Sequence, residues 1–316
     1  VRAGATTGAA GARQFGTLIG LVALGIGLWI LTPHFLTVAN LLNVLEQSAI
    51  NAIVAVGMTF VIISGGIDLS VGSVLALSGV VFASALHAGA GLPTAMILAL
   101  AVGAACGLVN GLLVTRGSLP PFIATLGMMS VARGLALMWA EGRPISGFDE
   151  TFRTLATGRV VSIPAPVLLT IAVYAAAHVL LAHSVFGRSV YAIGGNEEAT
   201  RLSGVRVGLH KTAAYVVAGL TSALAAIVLT ARLNSAQPTA GIMYELDAIA
   251  ATVIGGTSLL GGEGTLVGAL IGALIMGVLR NGLNLLNVTP FVQQLIIGVV
   301  IIAAVLVDTT LKRRKS

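Results

Sequence analysis

A stripe of amides is the first arrangement in this chain with chemistry to offer. At 100° per residue, Asn40, Asn43, Gln47 and Asn51 fall within about 80° of one another on a helix. An uncharged amide both donates and accepts, as recognition of a hydroxylated solute requires. Amides also hold helices together inside a membrane, and the residues alone fit either use. Asn281, Asn284, Gln293 and Gln294 form a weaker second set. Asp68 stands out because an ionisable group in an apolar setting is expensive. Its context, Gly-Ile-Asp-Leu-Ser, suits an N-cap for the next helix; an ion or proton site is the sharper alternative. Glu46 is the other isolated acid within an apolar stretch, and Arg133 suits packing against protein or snorkelling. Other chemistries lack their residues. The only lysines are Lys211, Lys312 and Lys315, so no Gly-x-x-x-x-Gly-Lys-Ser/Thr phosphate loop exists. Cys106 is the only cysteine and lies in an apolar run, which offers neither a disulfide nor a metal site. His34, His87, His178, His183 and His210 are scattered. No catalytic set and no metal cluster can be assembled.

The elements that must position these residues are membrane helices. Hydrophobic residues make up 57% of the 316 and charged residues only 9%, with a mean hydropathy of +1.02. So few charges cannot cover a soluble surface. Apolar stretches of bilayer length point to helices, because lipid leaves every backbone polar group to be satisfied internally. About ten spans are expected, at 15–32, 41–63, 69–87, 92–114, 121–140, 164–183, 212–232, 246–260, 264–286 and 290–308. The fold class is therefore all-α and polytopic, with one membrane domain over 1–316 and a disordered tail over 1–12. The net charge of +6 sits at span edges, which marks membrane orientation rather than nucleic-acid binding. With the N-terminus in the cytoplasm, eleven basic residues lie inside, including the cluster at 312–315, against five outside. Arg280 is among the five, at an outer span end. Both termini then face the cytoplasm, and Trp29 and Trp139 fall near the outer interface.

Two polar segments interrupt the spans: an outer loop at 141–163 and an inner loop at 184–211. In the inner loop Gly194-Gly195 reads as a turn. Asn196 suits an N-cap, Glu197 and Glu198 suit a first turn, and Gly204 suits a C-cap, so a short polar helix is expected. Glycine strings mark two span boundaries. Gly65-Gly66-x-x-Leu69-x-x-Gly72 recurs as Gly255-Gly256-x-x-Leu259-x-x-Gly262. Such strings suit interrupted helices beside a substrate path, or close packing by small residues.

Three ordered strings together resemble the ribose-type, simple-sugar branch of ATP-binding-cassette importer permeases. They are Gly194-Gly195-Asn196-Glu197-Glu198-Ala199-Thr200-Arg201-Leu202-Ser203-Gly204, Gly65-Gly66-Ile67-Asp68-Leu69-Ser70-Val71-Gly72-Ser73, and Ala250-Ala251-Thr252-Val253-Ile254-Gly255-Gly256-Thr257-Ser258. The first is similar to the Glu-Ala-Ala…Gly coupling motif, with Thr200 in place of the second Ala. The resemblance runs from about Phe35 to the C-terminus and implies the permease fold, with about ten helices. It also implies an ATPase docked on 187–208, touching Gly195, Asn196, Glu197, Glu198, Ala199, Arg201 and Gly204. Its further implications are an external sugar-binding protein, a second permease copy and a bacterial inner membrane. ATP is then used by the partner subunit, and this chain binds no cofactor. Candidate path residues are Asn43, Gln47, Asn51, Gly65, Gly66, Asp68, Gly255 and Gly256. A permease for a nucleoside or branched-chain amino acid is the nearest alternative. An ion-driven carrier working through Asp68 and Glu46 is the remoter one.

Overall fold

A computed structural model describes the backbone of residues 5–148, 152, 158–160 and 163–313, and the side chains of 15–148, 152, 158 and 163–306. Among the described residues twelve helices follow in order: α1 (Ala5–Leu31), α2 (Val38–Ile63), α3 (Val71–His87), α4 (Leu92–Thr115), α5 (Pro121–Trp139), α6 (Ala165–His183), α7 (Val185–Gly195), α8 (Glu197–Leu202), α9 (Val207–Leu233), α10 (Tyr244–Ile254), α11 (Leu266–Leu285) and α12 (Pro290–Arg313). Two short antiparallel ribbons pair β1 (Ile145–Ser146) with β4 (Ser235–Ala236), and β2 (Arg159–Val160) with β3 (Ile163–Pro164). Among the described residues six helices, α2, α4, α5, α6, α9 and α11, are long and apolar enough to cross a membrane; Phe15–Leu31, α3 and Pro290–Leu306 are shorter apolar helices. α1 begins at Ala5, inside the segment expected as a tail, and residues 1–4 lie outside the described residues. So do Asp149, Glu150 and Arg314.

The stretch expected as a span at 246–260 is not a through-going helix. α10 has 11 residues, about 16 Å at 1.5 Å per residue, roughly half the hydrocarbon thickness. Left-handed backbone at Asn234, Gly241 and Met243 breaks the chain before it. Non-helical backbone at membrane depth is tolerated only when buried in protein. Here Arg133 of α5 supplies the missing donors: its Nη1 donates to the carbonyls of Pro238 (2.6 Å) and Ala240 (2.7 Å). Arg133 therefore packs against protein, and its partner is bare backbone.

α2 forms the centre of the bundle; every residue from 52 to 63 is buried. Against it lies α9, which in turn packs on α4. Gly103, Gly107 and Gly111, four residues apart on α4, meet Gly219, Tyr215 and Thr212 of α9 so closely that any Cβ would strike backbone. Small residues at that spacing let membrane helices touch without side chains between them.

The three glycine strings converge at one end of the bundle. α2 closes on left-handed Gly65 (φ +79°), with the amides of Gly65 and Gly66 donating to the carbonyls of Ile62 and Val61, both at 2.9 Å. α10 closes the same way on Gly256 (φ +91°), with the amides of Gly256 and Thr257 reaching Val253 and Thr252. Gly65 thus corresponds to Gly256, one residue out of register with the sequence match to Gly255. Gly194 fits between the end of α2 and the loop that follows α10. A Cβ there would collide with the Ile63 carbonyl and the Gly262 amide, which are themselves hydrogen-bonded at 2.9 Å. Gly194 and Gly195 are accordingly the last residues of α7 and not a turn. The chain breaks at Asn196 (φ −160°, ψ 100°), while Gly194 serves close approach.

Replacing Gly194 with alanine is expected to lower the melting temperature in detergent, at a cost of about 1–3 kcal/mol, because rigid backbone on two sides cannot give way. The same change at Gly195, which has nothing within 4 Å of a built Cβ, leaves melting unchanged. Equal melting of both variants would mean that the junction is loose.

Candidate functional site

The 184–211 segment folds as its local chemistry dictates. Asn196 Oδ1 accepts the Ala199 amide (2.9 Å), capping α8. At the other end Gly204 (φ +83°) reverses the chain, and its amide donates to Arg201 (3.0 Å). Glu197 ties α8 to α9: its carboxylate accepts from Lys211 Nζ and from Arg201 Nη2, each at 2.8 Å. The Lys211 hydrogen bond foremost, with Arg201 adding to it, holds the Glu197 carboxyl below the usual carboxylate range. Glu198 and Leu202 face outward, with the Glu198 side chain 72% exposed and Leu202 80% exposed. Leu202 is thus a bare leucine at the tip of a polar helix.

α7 carries this segment into the bundle. Phe186 stacks on Phe60 of α2, with ring centroids 5.8 Å apart, and Tyr191 Oη donates to the Gly264 carbonyl at 2.7 Å. Together with Gly194, these contacts join α7 to the end of α2 and to the 261–264 loop before α11.

The amide stripe divides in two. Asn40 turns to α11, exchanging hydrogen bonds with Asn281 (2.9 and 2.8 Å), and so holds helices together. Asn43 and Asn51 meet other partners. Asn43 Oδ1 accepts from Arg232 Nη2 at 3.3 Å, Gln47 is half-buried below it, and Asn51 Nδ2 meets Asp247 Oδ2 at 3.5 Å. Asp247, 1% exposed, is held by Arg280, whose Nη2 donates to both carboxylate oxygens at 2.8 and 2.6 Å. Asn51 is twelve residues from the end of α2, about 18 Å along the helix, so this ion pair lies deep in the bundle. Arg280 lies five residues from the end of α11, and its side chain reaches Asp247. Asp68 is elsewhere. It is buried between α3 and α4, where its Oδ1 accepts the Ser70 amide (2.8 Å) and hydroxyl (2.6 Å), and Asn110 donates to that hydroxyl (2.9 Å). The N-cap position of α3 falls to Ser70; Asp68 closes the turn before it. Gly255 packs on Gly268 of α11, and Gly65, Gly66 and Gly256 end helices. The structure thus brings Asn43, Gln47 and Asn51 together, and leaves Asp68 and the glycines apart from them.

The family described as Branched-chain amino acid transport system / permease component matches residues 40–305. The chain belongs to this permease family. The ribose import permease protein of Bacillus subtilis (strain 168) is 50% identical over 306 residues, 96% of this chain and 94% of the relative. That of Escherichia coli (strain K12) is 51% identical over 296 residues, 92% of each. The D-allose transport system permease protein of Escherichia coli (strain K12) is 38% identical over 302 residues, 95% of this chain and 93% of the relative. No solved structure matches. The permease is a multi-pass membrane subunit of an import system and not an enzyme. The resemblance seen in its three strings extends over the whole membrane domain.

Sequence reasoning missed Asp247, Leu202 and Tyr191 of the permease. Glu245 and Asp247, two acids in a chain with only 11, were the available signal for the ion pair.

Because the Glu197 carboxyl is held low, its contribution to α8 is full above the ordinary glutamate range and is lost as pH falls through the depressed value. Its side chain is 40% exposed, so the contribution is about 1 kcal/mol or less. In Lys211→Met most of that contribution is absent at every pH. Amide exchange of residues 197–202 should then be up to about fivefold faster than in the parent at pH 7, and the two should converge in acid. Identical exchange at pH 7 would remove Lys211 from the support of α8.

Proposed function

We propose that this chain is the membrane permease of an ATP-driven importer for ribose or a closely similar monosaccharide. The observation that carries the reading is the end-to-end likeness to two ribose import permeases at 50 and 51% identity. In this reading two copies enclose the path in a bacterial inner membrane, with both termini in the cytoplasm. An external binding protein delivers the sugar to the end of the bundle opposite α8. A separate ATPase receives the tip of α8 and uses the ATP, and this chain binds no cofactor of its own. Gly195, Asn196, Glu197, Ala199, Arg201 and Gly204 shape and brace that tip, while Glu198 and Leu202 meet the ATPase.

The mechanical argument is direct. An ATPase does work on the permease only if each of its nucleotide states favours one arrangement of the spans. A push on α8 passes through Glu197–Lys211 to α9. Through α7 and Gly194 it reaches α2 and the loop between α10 and α11. The family description names branched-chain amino acids. The deep strip of amides and charge favours a hydroxylated solute over an aliphatic one, whose side chain would leave those groups unpaired.

Uptake of D-ribose into proteoliposomes holding permease, ATPase and binding protein is expected to need ATP and to ignore proton and sodium ionophores. Glu198→Arg with Leu202→Asp should insert normally but lose at least tenfold in uptake and in stimulation of the ATPase. Asp68→Asn should keep ATP-driven uptake, since the amide oxygen still accepts the Ser70 amide. Uptake that follows an ion gradient and ignores ATP would overturn the assignment.

A further inference from the structure

We propose that Asn51 and Arg280, aligned by Asp247, form a hydroxyl-reading station within the translocation path that makes the permease itself selective, independently of the binding protein. This rests on the sugar-import reading above. Three observations lead to it. The first is an unmet pair of groups. Arg280 Nε and Asn51 Oδ1 are both buried, and neither has a hydrogen-bond partner among the described residues. One is a donor and the other an acceptor, and an alcohol group offers the complement of each: its oxygen accepts from an N–H and its proton goes to a carbonyl oxygen.

The second is access. The Arg280 side chain is 30% exposed although Asp247 is 1% exposed. The polar face of Asn43, Gln47 and Arg232 continues from this pair toward the end of α2 that begins at Val38. The third is fixation. Asp247 binds only Nη2 of the guanidinium and accepts from Asn51 Nδ2. That orients both groups and leaves their remaining valences free. An ion pair needed only for packing could be exchanged for apolar residues of the same volume, often without loss of stability. Charge deep in a membrane protein marks function by default.

A site built to hydrogen-bond a hydroxyl rejects an analogue that lacks it, because its own groups are then left unpaired. The test therefore compares D-ribose with its singly deoxygenated analogues, each supplied on saturating binding protein, as sugar imported per ATP hydrolysed. The variants are Arg280→Lys, which keeps the ion pair but loses Nε–H, and Asn51→Leu, which loses the acceptor at similar volume. Melting temperature is recorded for each. The parent should import at least one deoxy analogue about tenfold less efficiently per ATP than ribose. In both variants that ratio should move toward one, through loss of ribose import alone.

A parent that imports ribose but treats every analogue alike overturns the station and leaves the sugar-import reading standing. So do variants that lose ribose and analogue import in equal proportion, since a packing defect has no preference among hydroxyls. A parent that imports no ribose removes the reading and the station together. Discrimination that shifts in Arg280→Lys with unchanged melting supports the station.

Discussion

The contact on which the rest of the structure depends is backbone against backbone at Gly194. There a helix outside the spans meets the end of the central helix α2 and the loop that leads into α11, with no side chain between them. The Gly262 amide bonds the Ile63 carbonyl across the same point. Side chains can rotate away from a load; peptide groups held by hydrogen bonds cannot do so without breaking them. Three glycine strings that are distant in sequence become one junction, and the junction joins a small surface helix to the bundle. Tyr191 and Phe186 hold α7 at this angle, and Glu197 fastens α8 to α9.

A second constraint comes from the lipid. Half-helix α10 requires some ten residues of irregular backbone before it, and those residues lie among spans. Arg133 answers two of their carbonyls, Gly241 packs on the backbone of Gly72, and β4 pairs with β1. Breaking the helix at this depth leaves the first turn of α10 beside α2 and α11, which is how Asp247 comes to face Asn51 and Arg280. The polar station and the broken helix are thus two consequences of one departure from a continuous span. The junction and the station lie at opposite ends of α10, a helix of 11 residues.

Much of this was legible in the sequence because it depends on local rules. Span positions follow from apolar run length, and the caps at Asn196 and Gly204 follow from residue type and order. The half-helix was not legible. Residues 246–260 are as apolar as a true span, and what shortens the helix is left-handed backbone at Met243 and Gly256, which composition does not record. The Asp247–Arg280 pair joins residues 33 apart, and only the antiparallel packing of α10 on α11 brings them together. Asn40 and Asn51 share a helical stripe yet do different work, because their different heights along α2 bring them to different partners, Asn281 and Asp247. Gly194 was misread as a turn for the opposite reason: the usual local meaning of Gly-Gly gave way to a tertiary contact.

The central claim is that α7, α8 and the 261–264 loop move as one body when the ATPase changes state. Spin labels at Arg201→Cys on α8 and Leu260→Cys beside the junction test it, both positions being exposed. Cys106 is replaced by alanine, and labelled protein is diluted with unlabelled so that distances within one subunit dominate. The account predicts the same mean distance and width in the nucleotide-free and ATP-trapped complexes, while ATP alters the distance from Arg201→Cys to a label at Trp139→Cys on the opposite end. A change in the 201–260 distance between the two states would contradict it, because the glycine junction would then be slipping rather than transmitting.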